Sequence, residues 1–309
     1  MSARRNSFLW IVLAAGAIAA PALGQNAVPA AGPAATVLQA AASVPDFSGI
    51  WSHPYLTGFE PPASGPGPVL NRSRRNGVGN FAQLVGDYTN PILKPEAARI
   101  VKEHGEMSLA GIEYPTPSSQ CWPGGVPYVF WDFLLQMFQQ PDKITMMYRH
   151  GNEIRRVRMN EPHAAKPVPS WYGDAVGRYE GDTLVIDTVA IKVGPFAMID
   201  LYGTPHSPAL HVVERYRLVD YDAAKEALDR NAKENAREPG ANFDANYRGK
   251  LLQLHFTVDD PEVFTMPWTS TITYRPAVGG WLDLICAENV RQYHLGKDSA
   301  VPRADRPDF

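Results

Sequence analysis
The sequence predicts a mainly β fold, a sandwich or barrel of short antiparallel strands. Three observations carry that reading. From Phe133 onward, apolar and polar residues alternate in short, regularly spaced runs. Gly, Pro, Asn and Asp punctuate those runs. No long amphipathic helices alternate with them, as a parallel α/β sheet would need. Closing the sheet into a barrel would remove the exposed edges that so many strands otherwise present.

In chain order, the first residues read as an export signal. Arg4 and Arg5 precede an apolar stretch from Phe8 to Gly24, and Ala22-Leu23-Gly24 offers small residues where a signal peptidase reads. A membrane anchor is the competing reading. The run is short, is broken by Pro21, and lacks basic stop-transfer residues after it. The Arg pair leaves twin-arginine export open as a minor route. Residues 25–44 are mostly Ala, Pro and Val, a leader unable to bury enough surface to offset its ordering entropy. The expected division is a signal peptide over 1–24, a disordered leader over 25–44 and one domain over 45–309. The expected location is the periplasm or the cell exterior.

Within the domain, residues 45–127 are dense in Pro, Gly, Ser and Asn and predict long loops wrapped over the sheet. One helix is expected there, from Lys94 to His104, with Pro95 suited to a first helical position. The run FLLQMFQQPDKITMMYRHGNEIRRVRMN then reads as three strands, broken at Pro141-Asp142 and His150-Gly151-Asn152. VGRYEGDTLVIDT reads as a hairpin. Its bend, Glu180-Gly181-Asp182, is structural in this reading, since Gly takes positive φ cheaply and Asp bonds nearby backbone. LHVVERYRLVD and KLLQLHFTVDD are further strands, separated by a polar insert that opens as a helix and loosens near Pro239-Gly240. STITYRPAVGGWLDLICAEN is a last hairpin turning at Gly279-Gly280.

Composition narrows the function classes. A net charge of −3 and a pI near 6.2 advertise neither nucleic acid nor an anionic membrane. No dinucleotide fingerprint or P-loop is present, so no cofactor is expected. The 8 histidines show no zinc-type pairing and the 2 cysteines stand apart, so no metal site is expected. Asp259-Asp260 before Pro261 reads as a turn-shaping pair in preference to a cation site. Cys121 and Cys286 either pair or remain separate buried thiols. An oxidising compartment favours the disulfide, which chain entropy values at about 5 kcal/mol at best.

Strand parity selects the candidate chemistry. In one strand Leu184, Ile186 and Thr188 share a face, while Asp187 shares the other with Val185 and Val189. Asp187 is thus expected among apolar neighbours, where a bare carboxylate costs several kcal/mol unless paired, on the order of magnitude usual for buried charge. In the next strand His211, Val213, Arg215 and Arg217 share one face; Val212, Glu214, Tyr216 and Leu218 share the other. Glu214 among large apolar residues is a setting that raises a carboxyl pKa and favours proton transfer. The competing reading pairs it across the sheet with Arg178 or Arg156. His206 lies in a Pro-bounded loop just before the strand, a common place for functional residues. Ser207 beside it lacks a nucleophile-elbow context, so no triad is read. Trp171, Tyr172 and Trp268, beside Gly or Pro, suit a small-molecule site at a barrel mouth, with Tyr148 and His211 added to the candidate binding set.

PDFSGIW at 45–51, the Cys121–Gly124 segment, GRYEGDTLVIDT at 177–188 and GTPHSPALHVVER at 203–215 stand here in order. DDP at 259–261, PW at 267–268 and CAEN at 286–289 follow. Together they resemble a widespread group of exported bacterial proteins across nearly all of the chain after its leader. The resemblance implies a lipocalin-like antiparallel barrel and matches both cysteine positions. This chain departs from the group where Gly173-Asp174-Ala175 replaces a common Gly-His-Ser. It departs again where Asn160-Glu161-Pro162 precedes His163-Ala164. Asp174 is therefore expected to bring a carboxylate to the barrel mouth.

The functional expectation is a periplasmic barrel that binds an apolar or aromatic small molecule and performs lyase, hydratase or isomerase chemistry. His206 and Glu214 would exchange protons, with Arg178 or Arg215 stabilising an oxyanion and Asp174 contributing a further carboxylate. The alternatives are a non-catalytic carrier and an envelope interaction protein.

Overall fold
The computed structural model describes residues 44–74, 78–112, 114–234, 243–281 and 284. The expected signal peptide, nearly all of the leader, Cys286 and almost all of the last hairpin's second arm lie outside these residues. Nine strands close into a barrel in sequence order. They are β1 (Gly49–Ser52), β2 (Leu134–Gln139), β3 (Lys143–Tyr148), β4 (Glu153–Met159) and β5 (Asp174–Glu180), then β6 (Thr183–Val189), β7 (His211–Val219), β8 (Leu251–Asp259) and β9 (Trp268–Pro276). Among the described residues two α-helices accompany them, α1 (Pro95–Leu109) and α2 (Lys225–Glu234). No helix among the described residues is long and apolar enough to cross a membrane.

The barrel is mixed, which corrects the expected all-antiparallel sheet. β4 and β5 run parallel, with Arg158 opposite Val176 and Met159 opposite Gly177. The cause is the connection between them. Residues 160–173 carry Pro162, Pro167 and Pro169 and turn the chain back so that β5 runs in the direction of β4 and pairs with its last residues. A parallel pair needs a crossover of about a dozen residues, and a tight hairpin cannot supply one. Every other neighbouring pair is antiparallel.

β1 was not foreseen as a strand. It is four residues long and sits in Pro-rich sequence, yet it closes the barrel between β2 and β9. It reaches only Arg275 and Pro276 of β9, leaving the start of that strand uncovered on this side. The N-terminal wrap fills the gap: Thr271 N–H donates to Glu60 O at 3.1 Å and Thr269 N–H to Pro66 O at 3.1 Å. The long loops therefore complete the sheet as well as cover it.

The hairpin β5–β6 forms as the sequence reads. Glu180 opposes Thr183 across the two-residue bend Gly181-Asp182, with Gly181 at φ 62°. Its charged rim is a set of surface ion pairs, Arg178 and Arg215 on Glu180 and Arg217 on Asp182. The bend is a structural turn.

Parity decides the core. Leu135, Met137, Ile144, Met146, Val157, Met159, Leu184, Ile186, Val212, Leu252, Leu254, Phe256 and Ile272 alternate inward and pack as one buried cluster. Outward neighbours such as Ile154, Arg178, Arg215 and His255 are exposed. Loops 118–133, 149–152, 170–173 and 190–210 gather at one end of the barrel, and the candidate chemistry lies among them.

Candidate functional site
Three polar constellations stand out, one inside the barrel, one on its outer wall and one at the loop end.

Inside, Glu214 of β7 and Arg155 of β4 have no exposed side-chain surface and form a bidentate pair at 2.6 and 2.8 Å. Tyr216 O–H donates to Glu214 at 2.9 Å, and Arg155 also donates to Thr188 Oγ1 at 2.7 Å. Tyr148 lies beside them, its hydroxyl pKa pushed up by burial. A fixed guanidinium fork that matches both carboxylate oxygens is the geometry in which a buried charge is compensated. Glu214 is therefore a structural anion in a dry core and not an open acid. The partner is neither Arg178 nor Arg156. Those two point outward, and Arg155 shares inward parity with Val157 and Met159.

On the outer wall, His163 of the crossover bridges two carboxylates. Its Nδ1 lies 3.1 Å from Asp174 Oδ2 and its Nε2 3.1 Å from Asp187 Oδ1. His211 Nε2 meets the same Asp187 oxygen at 2.8 Å. Asp174 also accepts from Arg158 at 2.6 Å and from the Ala164 amide at 2.9 Å. Asp187 is thus paired in the open and does not sit in apolar surroundings. The His211 hydrogen bond holds the Asp187 carboxyl below its usual range, and Asp187 raises the His211 imidazole in return. Among the described residues no group of three or more His, Cys, Asp or Glu is arranged to hold a metal ion.

The loop end carries two carboxyls raised by burial. Asp132, just before β2, is buried and accepts the His150 amide at 2.6 Å. Burial pushes its carboxyl up to about 7. Glu153 opens β4 and is half-buried; burial, with a smaller contribution from Asp132, pushes it up to about 7 as well. The Gly124 amide reaches both Glu153 oxygens, at 3.0 and 3.1 Å, and the Tyr172 hydroxyl donates to one of them. His150 stands beside Trp131, ring centres 6.0 Å apart, its imidazole pKa lowered by burial. His53, after β1, closes the back. Its Nε2 lies 3.0 Å from Asp132 O, and its ring packs edge-on against Tyr274.

An aromatic rim surrounds this end. Trp171 packs edge-on against Trp122 at 5.4 Å, and Lys192 sits 4.7 Å over the Trp171 ring. Gly125 makes the approach feasible. It has φ 68°, and a Cβ there would lie 2.8 Å from Trp171 O.

The sequence-predicted residues divide accordingly. Trp171 and Tyr172 lie at the loop end, while Asp174 and His211 join through His163 and Asp187 on the outer wall. Arg178 and Arg215 are exposed partners of Glu180. Trp268 is 1 % exposed and packs on Phe256 and Phe264 in the core, with Tyr148 equally buried. His206 is buried in its loop, Nδ1 3.2 Å from Ser207 O, with its pKa lowered by burial. Ser207 donates to Asp260, which also accepts the Ser207 and Glu262 amides, so that acid shapes a turn as expected. His206, Glu214 and Arg178 occupy a loop, the interior and the outer face, and the barrel wall separates the last two. Asp132, Glu153 and His150 were not foreseen. Their one sequence signal is position, beside the ends of three strands that the turns correctly delimit. No family model, curated protein or solved structure matches the chain.

Proposed function
We propose that this is an exported ligand-binding barrel that performs acid–base chemistry on an apolar or aromatic small molecule at its loop end. In this reading it works as a lipocalin-type barrel does, holding the ligand at an open mouth. Nine strands with one parallel pair depart from the eight-stranded antiparallel lipocalin layout. One observation carries the proposal. Glu153 and Asp132, neighbours under an aromatic rim, have carboxyls poised near the pH at which proton transfer is most efficient. Burial raises each carboxyl, and the charge of Asp132 raises Glu153 a little further, so Glu153 is suited to exchange a proton near neutrality. Glu153 is the half-buried member and touches the ligand; burial sets its proton affinity, and Asp132 adds to it. Tyr172 donates to Glu153 and orients it, and Trp171 and Trp131 supply apolar walls. Eliminations and isomerisations that pass through an enolate begin with the proton abstraction such a group performs.

A carrier is the second reading, favoured by the fact that both Glu153 oxygens are already engaged by Gly124 and Tyr172. One experiment separates them. Small aromatic and aliphatic carbonyl compounds are incubated with the protein in D2O, and exchange of their α-protons is followed by NMR. The enzyme reading expects protein-dependent exchange that falls about 100-fold or more in Glu153→Gln, the scale of a lost general base. Binding without exchange, or exchange equal in the variant, removes Glu153 from the chemistry.

A further inference from the structure
A cavity lies away from the loop-end acids, between the N-terminal wrap and α2. Its volume is about 500 Å³, within the range of small-molecule sites. Leu56, Phe59, Leu70 and Val78 give it apolar walls from the wrap, and Tyr202 contributes from the loop before β7. Its charges are arranged with a surplus. Glu60 pairs with Arg230, and Glu234 pairs with Arg74 and accepts the Gly79 amide at 2.7 Å. Both arginines are thus engaged, Arg230 also lying 3.8 Å from the exposed Glu226. The remaining lining charge is Lys233, which makes no ion pair among the described residues. The acid one turn back, Asp229, is already bonded to Lys225 at 2.7 Å. A lysine in the last turn of a helix complements the helix dipole wherever it points. That does not explain why this one borders an apolar cavity whose other charges are matched.

We infer that this cavity binds a small amphipathic monoanion, an aliphatic or aromatic carboxylate. The tail lies on Leu56, Phe59 and Leu70, and the carboxylate meets the ammonium of Lys233. The paired arginines hold the rim in place, and their partners Glu60 and Glu234 repel a second negative charge. The selectivity follows from that arrangement: one acid group is matched by Lys233, and a second is opposed by Glu60 and Glu234.

Calorimetric titration of the whole protein with straight-chain carboxylates, from hexanoate to tetradecanoate, tests the assignment. At least one length is expected to bind with a Kd of about 100 µM or tighter. The alcohol of equal length should bind at least ~10-fold more weakly, since the charge-assisted contact is missing. Lys233→Met is expected to cost a similar factor. Leu70→Asp, at a side chain already 37 % exposed, should weaken binding without unfolding the protein. Glu153→Gln should leave this binding unchanged, so failure here and failure of the loop-end chemistry are distinguishable. The inference is overturned if no length binds, if the alcohol binds as tightly as the acid, or if Lys233→Met binds normally. Loss of binding in Trp171→Ala alone would move the ligand to the loop end and overturn it equally.

Discussion
Removing one partner of the Arg155–Glu214 pair is the sharpest perturbation the fold offers. Both side chains are fully buried, joined by two short hydrogen bonds, and tied to Tyr216 and Thr188. Glu214→Gln keeps the shape but leaves the guanidinium as an uncompensated charge in a dry core. Breaking a buried pair this way costs about 3–5 kcal/mol. For a domain of this size that lowers Tm by roughly 6–20 °C. Arg155→Met should cost a similar amount, because it strands the carboxylate. The double variant Arg155→Met/Glu214→Leu removes both charges and should be near neutral, or stabilising by about 1–4 kcal/mol. Urea unfolding of the wild type, Arg155→Met, Glu214→Leu and the double variant closes a double-mutant cycle, with unchanged m-values confirming a common reference state. A coupling of about 3 kcal/mol or more is expected. A loss under about 1 kcal/mol for Glu214→Gln, with no coupling, would refute the assignment of the pair as a sealed structural unit.

Three further outcomes follow from other parts of the molecule. Asp132 and Glu153 have folded-state pKa values raised above their unfolded ones, so the folded state binds more protons between about pH 4 and 7. Their contribution therefore favours folding at low pH and is lost as pH rises towards 7. Stability curves at fixed temperature should flatten in this window for Asp132→Asn and Glu153→Gln, and an unchanged slope counts against the raised values. The His211–Asp187 bond has two limits: its stabilisation fades as pH rises through the raised His211 pKa and as it falls through the depressed Asp187 pKa. NMR titration should show the His211 pKa falling towards its ordinary value in Asp187→Asn. At the hairpin bend, Gly181→Ala meets open space and should cost about 1 kcal/mol of left-handed strain. Gly173→Ala, whose Cβ would lie 2.4 Å from Val189 O, should cost clearly more, as thermal melts of the pair would show.

How much of this was legible in the sequence depends on the range of the contact. Period-two alternation and turn residues located β2 to β9 because each is a local property. They also sorted β7 correctly, with Glu214 inward and His211 and Arg215 outward. The same parity would have exposed Arg155, since it stands between inward positions in EIRRVRM, but three arginines in that strand disguise the odd one. β1 was hidden because four residues are too few to show a period. The parallel pairing of β4 and β5 was hidden because it belongs to the crossover and not to either strand. The helix α1 was foreseen from its start, yet it runs on to Leu109, beyond the expected end at His104. The loop-end acids were the least legible. Asp132 and Glu153 are unremarkable in their own segments and acquire raised pKa values only when distant loops exclude water from them.

The barrel itself explains why proton chemistry belongs at that end. The inside of this closed sheet is apolar, so a charged group there is tolerated when a partner neutralises it, and a carboxylate sealed against a buried guanidinium is out of reach of a substrate. Glu214 illustrates the case. A group on the outward face is reachable, but solvent and partner charges keep it ionised near its ordinary range or below; Asp187 illustrates that one. Only where loops cover strand ends is a carboxyl both partly desolvated and approachable, and Glu153 meets both conditions. Two variants should therefore separate cleanly. Glu214→Gln should destabilise the protein while whatever stays folded retains proton exchange. Glu153→Gln should leave stability near pH 7 largely intact while exchange is lost. If both variants lost stability and activity together, the division between a sealed interior and a working rim would be wrong.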